Sequence, residues 1–273
     1  MRRIVLILIL IGAGVFSASY GQTIGSDPSL TLEKLFSRMG TATEDSDRIR
    51  INDSIKFIID SYASSDTVLT HNFKGVKYLG QVTSSNSQSK IITWNLLLKD
   101  SKSRYYCYII HRSGKKNLLC SLEGNYNEEP VRTDTIYSER DWYGALYYDL
   151  RSVRKDNQTY LVLLGIDYGN PSVTRKIIDI LSFTPDGRVV FGKKLFASEE
   201  GTKYREVLEY SSGAVISLKF LSDKSIVFDH LVPVSPELKG QKEYYGPDFS
   251  YDAFNLEKGI WRYKSDIDVR NKK

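Results

Sequence analysis

The chain has 273 residues, with 38 basic and 33 acidic side chains and a formal charge of +5. Apolar residues make up 41% and charged residues 26%, which excludes a wholly disordered, collagenous or coiled-coil chain. Two cysteines exclude a disulfide-dense scaffold or a multi-cysteine zinc module, while 19 tyrosines, 11 phenylalanines and 3 tryptophans favour strands.

The first segment reads as an export signal. Met1-Arg2-Arg3 is a short positive lead, Ile4 to Ile11 is an unbroken apolar run, and Gly12 to Phe16 extends it. Ser19 and Gly21 then occupy the −3 and −1 positions of a small-x-small cleavage site, so the mature chain is expected to begin at Gln22. The apolar run of about 13 residues is shorter than the ~20 a spanning helix needs, so residues 1–21 are read as a cleaved signal peptide. No cysteine follows the run to carry a lipid, and no later segment is long and apolar enough to span a bilayer as a helix. Removing Arg2 and Arg3 takes two charges from the +5 and leaves +3. The remaining basic residues are scattered in pairs such as Lys115-Lys116 and Lys193-Lys194, so no nucleic-acid partner is expected.

Residues 22–66 read as a helical segment. Asp27 and Pro28 suit the start of a helix, and Leu32, Leu35, Phe36 and Met39 recur at helical spacing before Gly40. A second helix follows Thr43, with Glu44, Asp45 and Asp47 at its start and an apolar stripe of Ile51, Ile55, Ile58, Ile59 and Tyr62. Its other face is not basic enough for anionic lipid, so the stripe is read as a docking face.

Residues 67–273 read as an antiparallel β domain with a C-terminal loop region. Runs rich in β-branched and aromatic residues occupy 76–83, 90–98, 104–111, 116–122, 142–153, 159–166, 175–183, 189–196, 204–210, 214–220 and 225–231. A late strand at 260–263 follows a long loop. About a dozen short strands joined by hairpin-length turns indicate a mainly β fold: an antiparallel meander, as a sandwich, an open barrel or a propeller-like stack, with two N-terminal helices. No βα alternation or exact repeat is present.

The cysteines lie in one expected hairpin. With Ser113-Gly114 as a two-residue loop, Cys107 faces Cys120 at a non-hydrogen-bonded position, where Cα atoms are ~4.5 Å apart. That separation and an oxidising compartment predict a cross-strand disulfide; a loop of another length would leave two thiols.

The chain has three histidines, and none shares a metal-binding spacing with another. No nucleophile elbow, phosphate loop or dinucleotide fingerprint appears, so neither metal nor cofactor is expected. The densest polar and aromatic cluster is C-terminal: Asp229-His230 after an apolar strand, then Tyr244-Tyr245-Gly246-Pro247-Asp248 and Tyr251-Asp252. Asp229, His230, Tyr245, Asp248, Tyr251 and Asp252 are candidate binding residues. His230 could act as general base, oriented by Asp248 or Asp252, and the three carboxylates could instead attract a cation. The bland alternative is a strand end and a hydrogen-bonded turn at 246–248. A second aromatic group, Trp142-Tyr143 with Tyr147-Tyr148, reads as strand, one row in the core and the other a possible binding platform.

The stretches 227–231, 245–252 and 142–148 resemble a family of exported Bacteroidota proteins, as does the glutamine after the signal. The resemblance covers roughly residues 75–270. It implies a periplasmic or outer-membrane-associated location and brings no activity or catalytic residue. No C-terminal sorting domain is apparent in the tail 268–273, which favours the periplasm.

The preferred reading is therefore a non-enzymatic exported protein that binds an envelope protein or a glycan, or assists envelope assembly. The alternatives are an envelope-polymer hydrolase using His230 with Asp248 or Asp252, and a carrier of an apolar ligand in a half-open barrel.

Overall fold

The computed structural model describes residues 28–99, 102–125, 129–155 and 158–268. The expected signal peptide, the Asp27 cap and residues 269–273 of the tail lie outside the described residues. The fold is mainly β, with sixteen strands and two N-terminal α-helices among the described residues.

Helix α1 is Pro28–Thr41 and α2 is Asp45–Ala63. Three separate sheets follow. The first is a four-strand meander of β1 Gly80–Thr83, β2 Ser89–Leu97, β3 Ser103–Ser113 and β4 Lys116–Asn125. The second contains β5 Tyr137–Ser138, β6 Leu146–Lys155, β7 Gln158–Asp167, β8 Val173–Phe183 and β9 Val189–Phe191. In it β12, Glu206–Ser211, shares the free edge of β8 with β9. The third runs in the order β11 Gly201–Lys203, β10 Phe196–Ser198, β16 Ile260–Lys264, β15 Tyr245–Glu257, β14 Ser225–Pro233 and β13 Leu218–Ser222.

These elements form four layers with three apolar interiors. The helices place Leu32, Phe36, Ile51, Ile55 and Ile59 on Ile92, Trp94, Tyr106 and Tyr108 of the first sheet. The opposite face of that sheet, with Ile91, Tyr105 and Ile109, meets Leu150, Leu163 and Ile177 of the second. The far face of the second, with Val162, Leu164 and Ile178, meets Ile226, Phe228, Phe254 and Trp261 of the third. The two inner sheets are thus buried on both faces. This explains why β2, β3, β7 and β8 are near-continuous apolar runs rather than alternating ones. β6 lies close to strands of both neighbouring sheets: Tyr147 N–H donates to Thr93 Oγ1 of β2 at 3.2 Å, and the Tyr148 hydroxyl donates to the Leu218 carbonyl of β13 at 3.0 Å. Among the described residues no sheet closes into a barrel.

Polar contacts fix the helical layer. Trp94 Nε1 donates to buried Asn52 at 2.8 Å, and the Tyr108 hydroxyl donates to Asp60 at 2.5 Å. The buried Lys90 ammonium donates to the Tyr62 hydroxyl and to the carbonyls of Val68 and His71, joining the α2–β1 connection to β2. Burial without a carboxylate pulls this lysine down to about 8.

Five sequence expectations need correction. The long loop before the last strand contains the 13-residue β15, eight of whose residues pair with β14. Its tyrosines, Gly246-Pro247 and polar residues obscured the strand, and the proline sits beside a bulge where ladder bonding lapses. The expected strand 189–196 is two strands in different sheets, divided at Gly192 with φ +95°. One pair, β10 with β16, is parallel. The expected strand 142–153 begins at Leu146, and a bulge between Tyr147 and Asp149 puts Tyr147 and Leu150 into the same interior.

The disulfide is also absent: Cys107 and Cys120 are both free. The loop is Gly114-Lys115, closed by the pair Ser113 and Lys116, with φ +60° at Gly114. A first central glycine of positive φ suits a II′ turn. Moving the loop by one residue pairs Cys107 with Leu122 and Cys120 with Ile109.

Candidate functional site

The C-terminal cluster forms around a bulge. On β14, Asp229 pairs with Tyr251 and Leu231 pairs with Pro247, so residues 248–250 of β15 stand opposite His230 alone. The inserted Asp248 folds onto its own bulge, accepting from the Ser250 N–H at 3.0 Å and hydroxyl at 2.7 Å. Those bonds hold its carboxyl below the usual range. Phe249 takes φ +71° and is 91% exposed.

The interruption frees the His230 side chain from regular pairing and turns it toward Asp252. His230 Nδ1 and Asp252 Oδ2 are 2.7 Å apart. The Tyr263 hydroxyl donates to the same oxygen at 2.6 Å, and Asp266 N–H donates to Oδ1 at 3.3 Å. Asp252 is only 4% exposed, so this anion is satisfied by three donors rather than by water. The bond to Asp252 raises the His230 pKa above its ordinary value, against the opposing effect of burial. Burial, and after it the same carboxylate, raise the Tyr263 pKa, so the phenol stays a neutral donor.

His230 and Asp252 line an open cleft of about 740 Å³ at the seam between the second and third sheets. β12 brings in Glu206, whose carboxyl is raised by burial despite Lys203. Lys203 lies 3.5 Å from Glu206 and 3.4 Å from Glu200. Phe228 and Phe254 supply apolar wall, and the buried Ser198 hydroxyl at the lining has no hydrogen-bond partner among the described residues.

Of the six C-terminal candidates, the cleft brings together Asp229, His230 and Asp252. Tyr245, Asp248 and Tyr251 are not among its lining residues. Tyr245 lies under the Lys242 ammonium and accepts from Gly240 N–H. The three carboxylates considered for a cation diverge: Asp229 accepts from Ser217 N–H, Asp248 serves its bulge, and Asp252 serves His230. Glu206, Lys203 and Tyr263 escaped sequence reasoning as site residues because they lie on other strands; Glu206 and Tyr263 fell within the expected strands 204–210 and 260–263, but nothing local tied them to His230.

Trp142 and Tyr143 do not form a surface platform. Trp142 is buried and donates through Nε1 to the Tyr147 hydroxyl at 3.1 Å, while the Tyr143 hydroxyl donates to Asp179 at 2.8 Å. Asp179 pairs with Arg205 at 2.9 Å, both fully buried. Their loop is held inward by Gly144, where φ is +86° and a Cβ would meet the Tyr105 ring at 2.7 Å.

No protein-family model, curated protein or solved structure matches the chain. The class defined by fold and cleft is a layered, mainly β protein with a His-Asp-Tyr cluster at the seam of two sheets.

Proposed function

We propose that the chain is an exported, non-enzymatic envelope protein that binds a glycan in the His230 cleft. The observation that carries this reading is that most of the cleft's charges are already paired: His230 with Asp252, Lys203 with Glu200 and Glu206, and Arg262 and Lys264 with Glu257 beside the cleft. Paired charges offer little to a charged ligand. They leave hydroxyl, imidazole and carboxylate edges beside apolar wall, a surface suited to a neutral polyhydroxylated ligand. Periplasmic or outer-membrane-associated residence rests on the signal-like N-terminus and on the resemblance to exported Bacteroidota proteins. Among the described residues, no helix is long and apolar enough to cross a membrane.

The test is calorimetric titration with neutral envelope oligosaccharides. Binding should weaken about tenfold in Tyr263→Phe and in Asp252→Asn, one lost hydrogen bond's worth. Absence of binding to every neutral oligosaccharide, or full binding by both variants, overturns the reading. N-terminal sequencing of chain recovered from cell envelopes should begin at Gln22.

A hydrolase reading draws support from one feature, the 2.7 Å His230–Asp252 bond at an open cleft. In that reading His230 Nε2 takes a proton from water while Asp252 orients the ring. Turnover of envelope polysaccharide that is lost in His230→Gln, with binding retained, would favour it over binding alone.

A further inference from the structure

A second cleft, of about 350 Å³, opens where the interior between the first and second sheets ends. It is lined by the β1–β2 turn, the end of β3, the facing ends of β6 and β7, the β8–β9 turn and Lys193. Its chemistry differs from that of the His230 cleft. Hydroxyl and amide side chains dominate, no carboxylate is present among its described lining residues, and Lys193 is the one permanent charge there.

The walls are pre-organised. His111 stacks on Phe183 with centroids 4.0 Å apart and planes 13° apart, and its Nδ1 lies 2.7 Å from Ser89 Oγ. Burial lowers the His111 pKa, so the ring stays neutral at neutral pH. The turn carrying Ser89 is tied by Ser84, whose hydroxyl donates to Asn86 and accepts from Ser89 N–H.

Two groups are left with bonding capacity. The Ser152 hydroxyl at the lining is buried without a hydrogen-bond partner among the described residues, a costly state unless a ligand or water supplies one. The Lys193 ammonium has no carboxylate partner among the described residues; it reaches Gln158 Oε1 at 3.4 Å and lies 5.9 Å from the Tyr160 ring.

We propose that this cleft binds a sugar acid of monosaccharide size, with Lys193 taking the carboxylate and Ser152 and Gln158 taking hydroxyls. A lone ammonium among neutral donors and acceptors selects one negative charge on a polyhydroxylated body. The His111–Phe183 stack offers a flat wall for its C–H face. The site is independent of the His230 cleft.

The test titrates the full mature chain with D-galacturonate, D-galactose and acetate, followed by calorimetry and by amide shifts in NMR. Galacturonate should bind and shift Ser89, His111 and Gln158. Galactose should bind about tenfold more weakly, and acetate should bind more weakly still. Lys193→Met should bring galacturonate down to the galactose level, and Lys193→Arg should restore the difference. The amide shifts of Ser89, His111 and Gln158 report this cleft alone, so they should appear with galacturonate whether or not a neutral glycan binds the His230 cleft, which separates this proposal from the glycan reading. The proposal falls if galacturonate does not bind, if acetate binds as well as galacturonate, or if Lys193→Met binds galacturonate as wild type does.

Discussion

The interior around Arg205 and the cleft around His230 are built from the same parts: a carboxylate, a tyrosine hydroxyl and a cationic partner. In the interior, Asp179 accepts from Arg205 and from the Tyr143 hydroxyl, and the guanidinium is further held by the carbonyls of Arg132, Thr135 and Phe191. Its planar group lies over the Tyr137 and Tyr143 rings. In the cleft, Asp252 accepts from His230 and Tyr263, but the imidazole edge remains open to the solvent-filled space. In the Arg205 cluster four of the five guanidinium N–H groups are bonded and both charges are fully buried, so it ties the β4–β5 and β5–β6 connections to the second sheet. The His230 cluster keeps a titratable ring at a surface. Burial and saturation, rather than residue type, separate a structural cluster from one that can meet a ligand.

The largest effect should come from breaking the sealed cluster. Arg205→Met leaves Asp179 buried and unpaired, and should cost about 3–5 kcal/mol by urea unfolding. Adding Asp179→Leu should recover a substantial part of that loss, because burial already disfavours the lone carboxylate. Gly144→Ala acts on the loop that carries Trp142 and Tyr143. Its positive φ and the collision with Tyr105 should cost about 1–3 kcal/mol in the same measurement.

The open cluster should respond more weakly and with pH. His230 holds its proton more tightly in the folded chain than its ordinary value of 6.5 allows. Its stabilisation is therefore complete below about pH 6.5 and is lost as pH rises through the raised folded value. Asp252→Asn should bring the His230 pKa measured by NMR back toward or below 6.5. The stability difference from wild type attributable to His230 should shrink as pH rises. That contribution should stay below about 1 kcal/mol, because the ring is 38% exposed and solvent screens it.

The smallest effect concerns the thiols. Two free thiols should be counted by alkylation after denaturation without reductant. In the native protein Cys107, fully buried and raised well above its ordinary value by burial, should resist alkylation. Cys120 is pushed up to about 12 by burial and by Glu139, so it should react slowly at neutral pH. Cys120→Ser should change stability by less than about 0.5 kcal/mol.

Much of the architecture was legible along the chain. The 3.6-residue stripe of Ile51, Ile55 and Ile59 announces a docked helix, and it is buried on the first sheet. The runs at 159–166 and 175–183 announce strands, and they pair as β7 and β8. Local periodicity carried those expectations because a buried face repeats with the geometry of its own element. The Asp229-His230 and Asp252 segments stood out as polar positions amid apolar and aromatic neighbours, which is why they entered as candidates. Their pairing across β14 and β15 was another matter, since β15 itself read as loop.

Composition and periodicity were enough to establish a mainly β chain with two leading helices, because those properties repeat within a few residues. Register, layering and enclosure were settled only by the folded arrangement. A one-residue change in the Gly114-Lys115 turn separates Cys107 from Cys120, a bulge at Tyr148 changes which side chains enter the interior, and a bulge of three residues opposite His230 aims that ring at Asp252. Each depends on which distant strand lies alongside, a choice made by the sum of long-range contacts rather than by any residue's immediate neighbours.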